Sequence, residues 1–182
     1  LINGDTFSGT YTGAFNNANA GTGKTVTITP TYSGTDVSNY SVTDHSTITA
    51  DVAVKTLTAT ASAANKTYDG TTTATTTLTF SGLIGSETLG QTVGSTFDNK
   101  NVGTGKSVTV NSITLADGTG IAANYSISPG QTTTADVTAK SLTVSGITAS
   151  NKTYDGNTTA TLDVLSISYN GLIAGDVFNG TY

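Results

Sequence analysis

The chain has 182 residues with 21 Gly, 2 Pro and no Cys, Met or Trp, and all seven positive charges are Lys. The missing Cys excludes disulfides, thiolate zinc sites and a cysteine nucleophile, and a single His45 excludes a multi-histidine metal site. A formal net charge of -5 points away from nucleic acid, and no apolar run approaches the ~18 residues of a membrane span. The opening residues lack a basic signal-peptide start, so secretion would fit an internal segment of a longer chain.

Thr is the commonest residue, and with Val it favours pleated strands over helices because both are stiff at χ1. The alternation below is what separates this chain from a disordered Thr/Ser linker. Val26 and Ile28 share one strand face, with Thr25, Thr27 and Thr29 on the other. The preceding Gly21-Thr22-Gly23-Lys24 and the later Gly103-Thr104-Gly105-Lys106 invite a phosphate-loop reading. Ala18 and Lys100 stand where that loop needs its first Gly, and a strand follows where it needs a helix. A turn is expected at both. His45 falls in a loop.

Ala50, Val52 and Val54 alternate as far as Lys55, where the phase switches to Leu57, Ala59 and Ala61. A one-residue slip turns every side chain to the opposite face, so one unit's last strand is expected to run into the next unit's first. Lacking Pro and Gly there, the two units should be held at a fixed angle. Tyr68-Asp69-Gly70 marks a turn, followed by a strand carrying Ala74, Thr76, Leu78 and Phe80 on one face. Val108 and Val110 repeat the pattern of Val26 and Ile28, and Asp117-Gly118-Thr119-Gly120 is a turn. Ala135, Val137 and Ala139 give way to Leu142 and Val144, a second phase switch. The alternation breaks between Val164 and Leu165, as at a bulge or lengthened strand. Asn170-Gly171 and Asn179-Gly180 are further turns.

These segments recur. Asn65-Lys66-Thr67-Tyr68-Asp69-Gly70 returns at Asn151-Lys152-Thr153-Tyr154-Asp155-Gly156, and Asn39-Tyr40-Ser41 at Asn124-Tyr125-Ser126. Thr49-Ala50-Asp51-Val52 returns at Thr134-Ala135-Asp136-Val137, and Leu1-Ile2 at Leu83-Ile84 and Leu172-Ile173. The period of about 85 residues suits a whole small β domain. Residues 1–55 read as the C-terminal part of a repeat, 56–140 as a complete repeat and 141–182 as the N-terminal part of another. The expected class is all-β, as tandem immunoglobulin-like β-sandwich repeats, with a compact β-grasp-like unit as the alternative. The partial repeats fit either a window on a longer array or subunits that complete one another head to tail.

The repeat also fixes the candidate site residues: Tyr68, Asp69, Gly70, Tyr154, Asp155, Gly156, Tyr40, Tyr125, Asp51 and Asp136. Calcium bridging by the aspartates would need several carboxylates two residues apart, whereas these stand singly and suit capping of the Tyr-Asp-Gly bend. Lys66 or Lys152 with Asn124 would be the candidates for an isopeptide crosslink, which needs a buried Lys and a nearby acid. The tyrosines suit either a sugar-binding platform or packing with the hydroxyl bonded outward, and identical placement in each unit favours packing. No catalytic, cofactor-binding or metal-ligating set emerges.

The blocks Lys66–Thr75, Gly82–Glu87, Phe97–Lys106, Asn124–Ile127 and Thr133–Val137 together resemble the YDG-type repeat of large bacterial surface adhesins, including filamentous-haemagglutinin-like exoproteins. The resemblance covers nearly the whole chain. It implies a secreted or cell-surface structural stalk or filament repeat without enzymatic activity, whose partners are neighbouring repeats. A carbohydrate-binding module of a biofilm-matrix adhesin, gripping polysaccharide, is the alternative function. Departures from the pattern are Ser86-Glu87, where the other units carry Gly-Asp, and extra residues in the third unit.

Overall fold

The computed structural model describes residues 1–178, in which alternating β-branched and small residues build strands in each of the three repeats. The first partial repeat contributes β1 (Ser8–Phe15), β2 (Gly21–Ser33) and β3 (Thr47–Val52). They form an antiparallel sheet in that order, with Phe15 opposite Val26 and Thr25 opposite Thr49.

The middle repeat begins with β4 (Lys55–Thr56), β5 (Thr58–Ala63), β6 (Lys66–Thr67), β7 (Thr73–Ala74) and β8 (Thr76–Ser81). It continues with β9 (Leu89–Phe97), β10 (Gly103–Asp117), β11 (Tyr125–Ser126) and β12 (Thr132–Thr138). A five-stranded sheet runs β6-β12-β10-β9-β7, while β5 pairs with β8 and β4 runs parallel to β11. The core sits on the five-stranded sheet, where Ala74, Phe97, Val108, Ala135 and Val137 are buried together and Ala63 of β5 packs onto them. The third repeat supplies β13 (Thr143–Ser145), β14 (Thr148–Ala149), β15 (Leu162–Asp163) and β16 (Ser168–Asn170), paired β13-β16 and β14-β15.

The fold is all-β, as the sequence led us to expect of a sandwich. Among the described residues, helix is confined to two three-residue 3-10 turns, Val37–Asn39 and Ala122–Asn124. A β-grasp-like unit would need a helix laid on its sheet, so that alternative is set aside. No helix is long and apolar enough to cross a membrane among these residues.

By packing, the chain divides into two compact units that cut across the sequence repeats. One unit gathers residues 1–59, 80–92 and 113–128, and the other 60–79, 93–112 and those from Pro129 onward. Each unit therefore contains one boundary between successive repeats. At the first, the break between β3 and β4 is two residues, after which the chain changes sheet and pairs with β11. The one-residue slip read from the sequence is this change of sheet.

Two local expectations are corrected. The Gly-Thr-Gly-Lys segments are β-bulges inside long strands, not turns between them. Register shifts by one residue between Gly21 and Lys24 and between Gly103 and Lys106, with Gly23 at φ +60° and Gly105 at φ +59°. A left-handed glycine within a strand is how such a bulge admits its extra residue. The break between Val164 and Leu165 is a tight turn, closed by Ile167 N–H donating to Val164 C=O at 3.3 Å, with Leu165 N–H held by Asp163 at 2.9 Å. An Asp two residues before the bend favours turning over continuing the strand. The Asn179-Gly180 turn lies outside the described residues.

Cover decides how deeply equivalent residues are buried. Phe97 is 3% exposed, yet Phe15 at the same place in the first repeat is 41% exposed. Val108 and Val110 are buried while Val26 and Ile28 are half-buried. In the middle repeat β5 lies over this face, and among the described residues no strand does so in the first.

Candidate functional site

The Tyr-Asp-Gly bend owes its shape to a lysine. Lys66 Nζ donates to Asp69 Oδ1 at 2.8 Å and to the carbonyls of Thr71 at 2.9 Å and Thr73 at 3.0 Å. Asp69 Oδ1 also accepts the Thr71 N–H at 2.9 Å, which makes an Asx-type turn. The Lys66 ammonium, with the Thr71 amide behind it, holds the Asp69 carboxyl down at about 2. The third repeat copies this arrangement, with Lys152 on Asp155 Oδ1 at 2.8 Å and on the Asn157 carbonyl at 2.9 Å. Asp155 is likewise lowered, chiefly by Lys152.

Gly70 and Gly156 take φ +79° and +75°, a region that L side chains avoid. Their surroundings differ. A Cβ on Gly70 would lie 2.9 Å from Ile173 Cγ2, whereas Gly156 has nothing within 4 Å. Ile173 belongs to the Leu172-Ile173-Ala174-Gly175-Asp176 turn of the following repeat. The missing side chain at Gly70 is the seat of the neighbour's isoleucine.

Tyr68 completes the seat. Its ring packs against the core cluster, and its hydroxyl donates to Asp176 Oδ2 at 2.7 Å. Lys100 Nζ lies 3.5 Å from Asp176 Oδ1 and 6.0 Å from the Tyr68 ring centroid. The Tyr68 hydroxyl, aided by the Asp176 charge, raises the Lys100 ammonium above its ordinary value. Tyr68, Val102, Lys140, Leu142, Ile173 and Asp176 line a cavity of about 230 Å³ at this boundary.

The Asn-Tyr-Ser tyrosines serve the same acidic position from within their own repeat. Tyr125 is 7% exposed; its hydroxyl donates to Glu87 and accepts the Ile84 N–H at 3.2 Å. Tyr40 donates to Asp5 and accepts the Ile2 N–H at 2.7 Å. Glu87 raises the Tyr125 phenol above its ordinary value by accepting a hydrogen bond from its hydroxyl. Asp5, Glu87 and Asp176 are thus one repeated carboxylate, so the Glu87 departure keeps the function of the position. The sequence reading noted this position only as the departure at Glu87 and did not count the three acids among the candidate site residues. Their signal was an acid at the same distance after each Leu-Ile pair.

Asp51 and Asp136 stand elsewhere, on the bulges. Asp51 Oδ1 accepts the Gly23 N–H at 2.7 Å, and Asp136 Oδ1 the Gly105 N–H at 2.8 Å. Beyond each bulge the lysine folds back over the strand loop. Lys24 Nζ donates to the Asn17 carbonyl at 2.8 Å, and Lys106 Nζ reaches Asp98 Oδ1 at 3.1 Å. Asn124 joins the first repeat boundary: it accepts the Ala20 N–H at 2.8 Å and donates to Asn19 at 3.2 Å. Tyr154 alone of the four candidate tyrosines is open, at 93% exposure.

The site therefore combines contacts that shape each repeat, such as Lys66 on Asp69, with contacts that cross a boundary, such as Tyr68 on Asp176. A YDG domain is detected at residues 1–50, 53–135 and 138–181. No curated protein matches the chain, and neither does any solved structure. The three matches span nearly the full sequence, and the chain belongs to the YDG domain family.

Proposed function

We propose that the chain is a structural repeat segment of a secreted bacterial surface adhesin or extracellular fibre, non-enzymatic and joined rigidly end to end. The observation that carries this reading is the bond from Tyr68 of one repeat to Asp176 of the next, beside the seat of Ile173 on Gly70. Two of the three residues of the first Tyr-Asp-Gly motif, Tyr68 and Gly70, meet the following repeat, which suits a mechanical array. The partners on this reading are neighbouring repeats of the same protein. A composition rich in Thr, Gly and Asn and free of Cys, together with the likeness to filamentous-haemagglutinin-like exoproteins, supports a surface location.

Small-angle scattering from chains carrying one, two and three further repeats tests it. Rigid joining gives a constant length increment per repeat, whereas a flexible string grows as about the square root of its length. Calorimetric titration of the same chains with bacterial polysaccharides tests the rival, carbohydrate-binding function. Saturable binding that is lost in Tyr154→Ala would favour that rival over the stalk.

A further inference from the structure

The repeated carboxylate receives a different tyrosine at each of the two repeat boundaries. Glu87 takes the hydroxyl of Tyr125, which lies later in its own repeat, and Asp5 takes Tyr40 in the same way. Asp176 takes Tyr68, from the Tyr-Asp-Gly motif of the repeat before. The two boundaries are otherwise built from equivalent parts. Lys55 and Ile84 line a cavity of about 370 Å³ with Glu87 and Tyr125, and Lys140 and Ile173 line the smaller one with Asp176 and Tyr68.

We propose that a boundary with a whole repeat on either side is locked by two tyrosines on one carboxylate: the Tyr-Asp-Gly tyrosine of the preceding repeat and the Asn-Tyr-Ser tyrosine of the following one. The inference rests on the tandem-repeat reading above. An ionised carboxylate has about four lone-pair sites, so two hydroxyls do not compete for it. On Asp176 the Tyr68 bond uses Oδ2 and leaves Oδ1 to Lys100 at 3.5 Å. There is room for the ring: the cavity beside Glu87, of mixed polar and apolar lining, measures about 370 Å³, and roughly 150 Å³ is enough for a benzene ring. Its occupant is the Tyr-Asp-Gly segment of another repeat, because the chain seats just such a segment against Asp176 and Ile173. The clamp makes the junction conditional on three residues in two repeats. A repeat that lacks any one of them would join more weakly to its neighbour.

The test uses a chain in which residues 1–171 run directly into a second copy of residues 1–182, so that the second Leu1 stands where Leu172 did. The second copy's Asp5 then follows the first copy's Tyr68 and precedes its own Tyr40. The expected crystal structure places both hydroxyls within about 3 Å of that carboxylate. In solution, Tyr68→Phe in the first copy and Tyr40→Phe in the second each raise the unfolding constant of the joined repeat several-fold. Asp5→Asn in the second copy should cancel much of either effect. A closed repeat in which one tyrosine bonds elsewhere, or in which both add fully to Asp5→Asn, overturns the clamp and leaves the tandem reading standing. A joined segment that fails to close over the second Phe15 overturns both.

Discussion

The hydroxyl of Tyr68 and the carboxylate of Asp176 meet at 2.7 Å although 108 residues separate them in the chain. The contact explains why a Tyr-Asp-Gly triplet recurs as a block. Asp69 shapes the bend through Lys66, Gly70 clears space for Ile173, and Tyr68 bonds the acid three residues beyond that isoleucine.

Gly70 and Gly156 form a matched pair for testing this division of labour. Gly156→Ala meets open space and should cost the roughly 1–2 kcal/mol of a left-handed backbone. Gly70→Ala bears that cost and also displaces Ile173, so it should destabilise by more in urea unfolding. Equal losses would show that Ile173 does not dock there.

Cover rather than residue type should set the cost of truncating the repeated phenylalanine. Phe97→Ala is expected to cost about 3–5 kcal/mol, as for a core aromatic. Phe15→Ala, at the equivalent and more exposed position, should cost less than half of that. Denaturant midpoints of the two variants give the comparison.

Much of this was legible in the sequence. The period follows from the recurring blocks, and the strand faces of Val26, Val108 and Leu78 and the phase switch at Lys55 follow from alternation, which burial on one face of a sheet imposes. The bulges were misread because Gly-Thr-Gly looks the same in a turn and in a strand, and only the partner strand's Asp51 or Asp136 tells them apart. The junction was hidden for a similar reason. Tyr68 and Asp176 each recur with the repeat, but recurrence marks the positions without saying which two meet across 108 residues.

Asp69 supplies a pH test. Its folded pKa of about 2 lies below the ordinary ~3.9, so its contribution is complete above about pH 4 and lost as pH falls through 2. NMR titration should give a midpoint near 2 for the Asp69 carboxyl, with the Thr71 amide shifting in step. In Lys66→Met the midpoint should move up toward 4. An unshifted midpoint in the unaltered chain would contradict the lysine clamp.

The bulge aspartates should behave as hydrogen-bond acceptors more than as charges. Asp136→Ala orphans the Gly105 N–H and is expected to cost about 1 kcal/mol, whereas Asp136→Asn keeps an oxygen and should cost less. Asp51→Ala should show the same loss on Gly23. Urea unfolding of the three variants measures all of this, and a larger loss in Asp136→Asn than in Asp136→Ala would contradict it.

The most direct measurement is a double-mutant cycle on Tyr68→Phe and Asp176→Asn in the 182-residue chain, read by equilibrium unfolding. If the motif holds one repeat to the next, the two substitutions should couple by about 1 kcal/mol, within the range for residues in contact. Each substitution would then do little further harm once the other is in place. Strictly additive effects would mean that Tyr68 and Asp176 act independently, and the Tyr-Asp-Gly motif would lose its role as the joint between repeats.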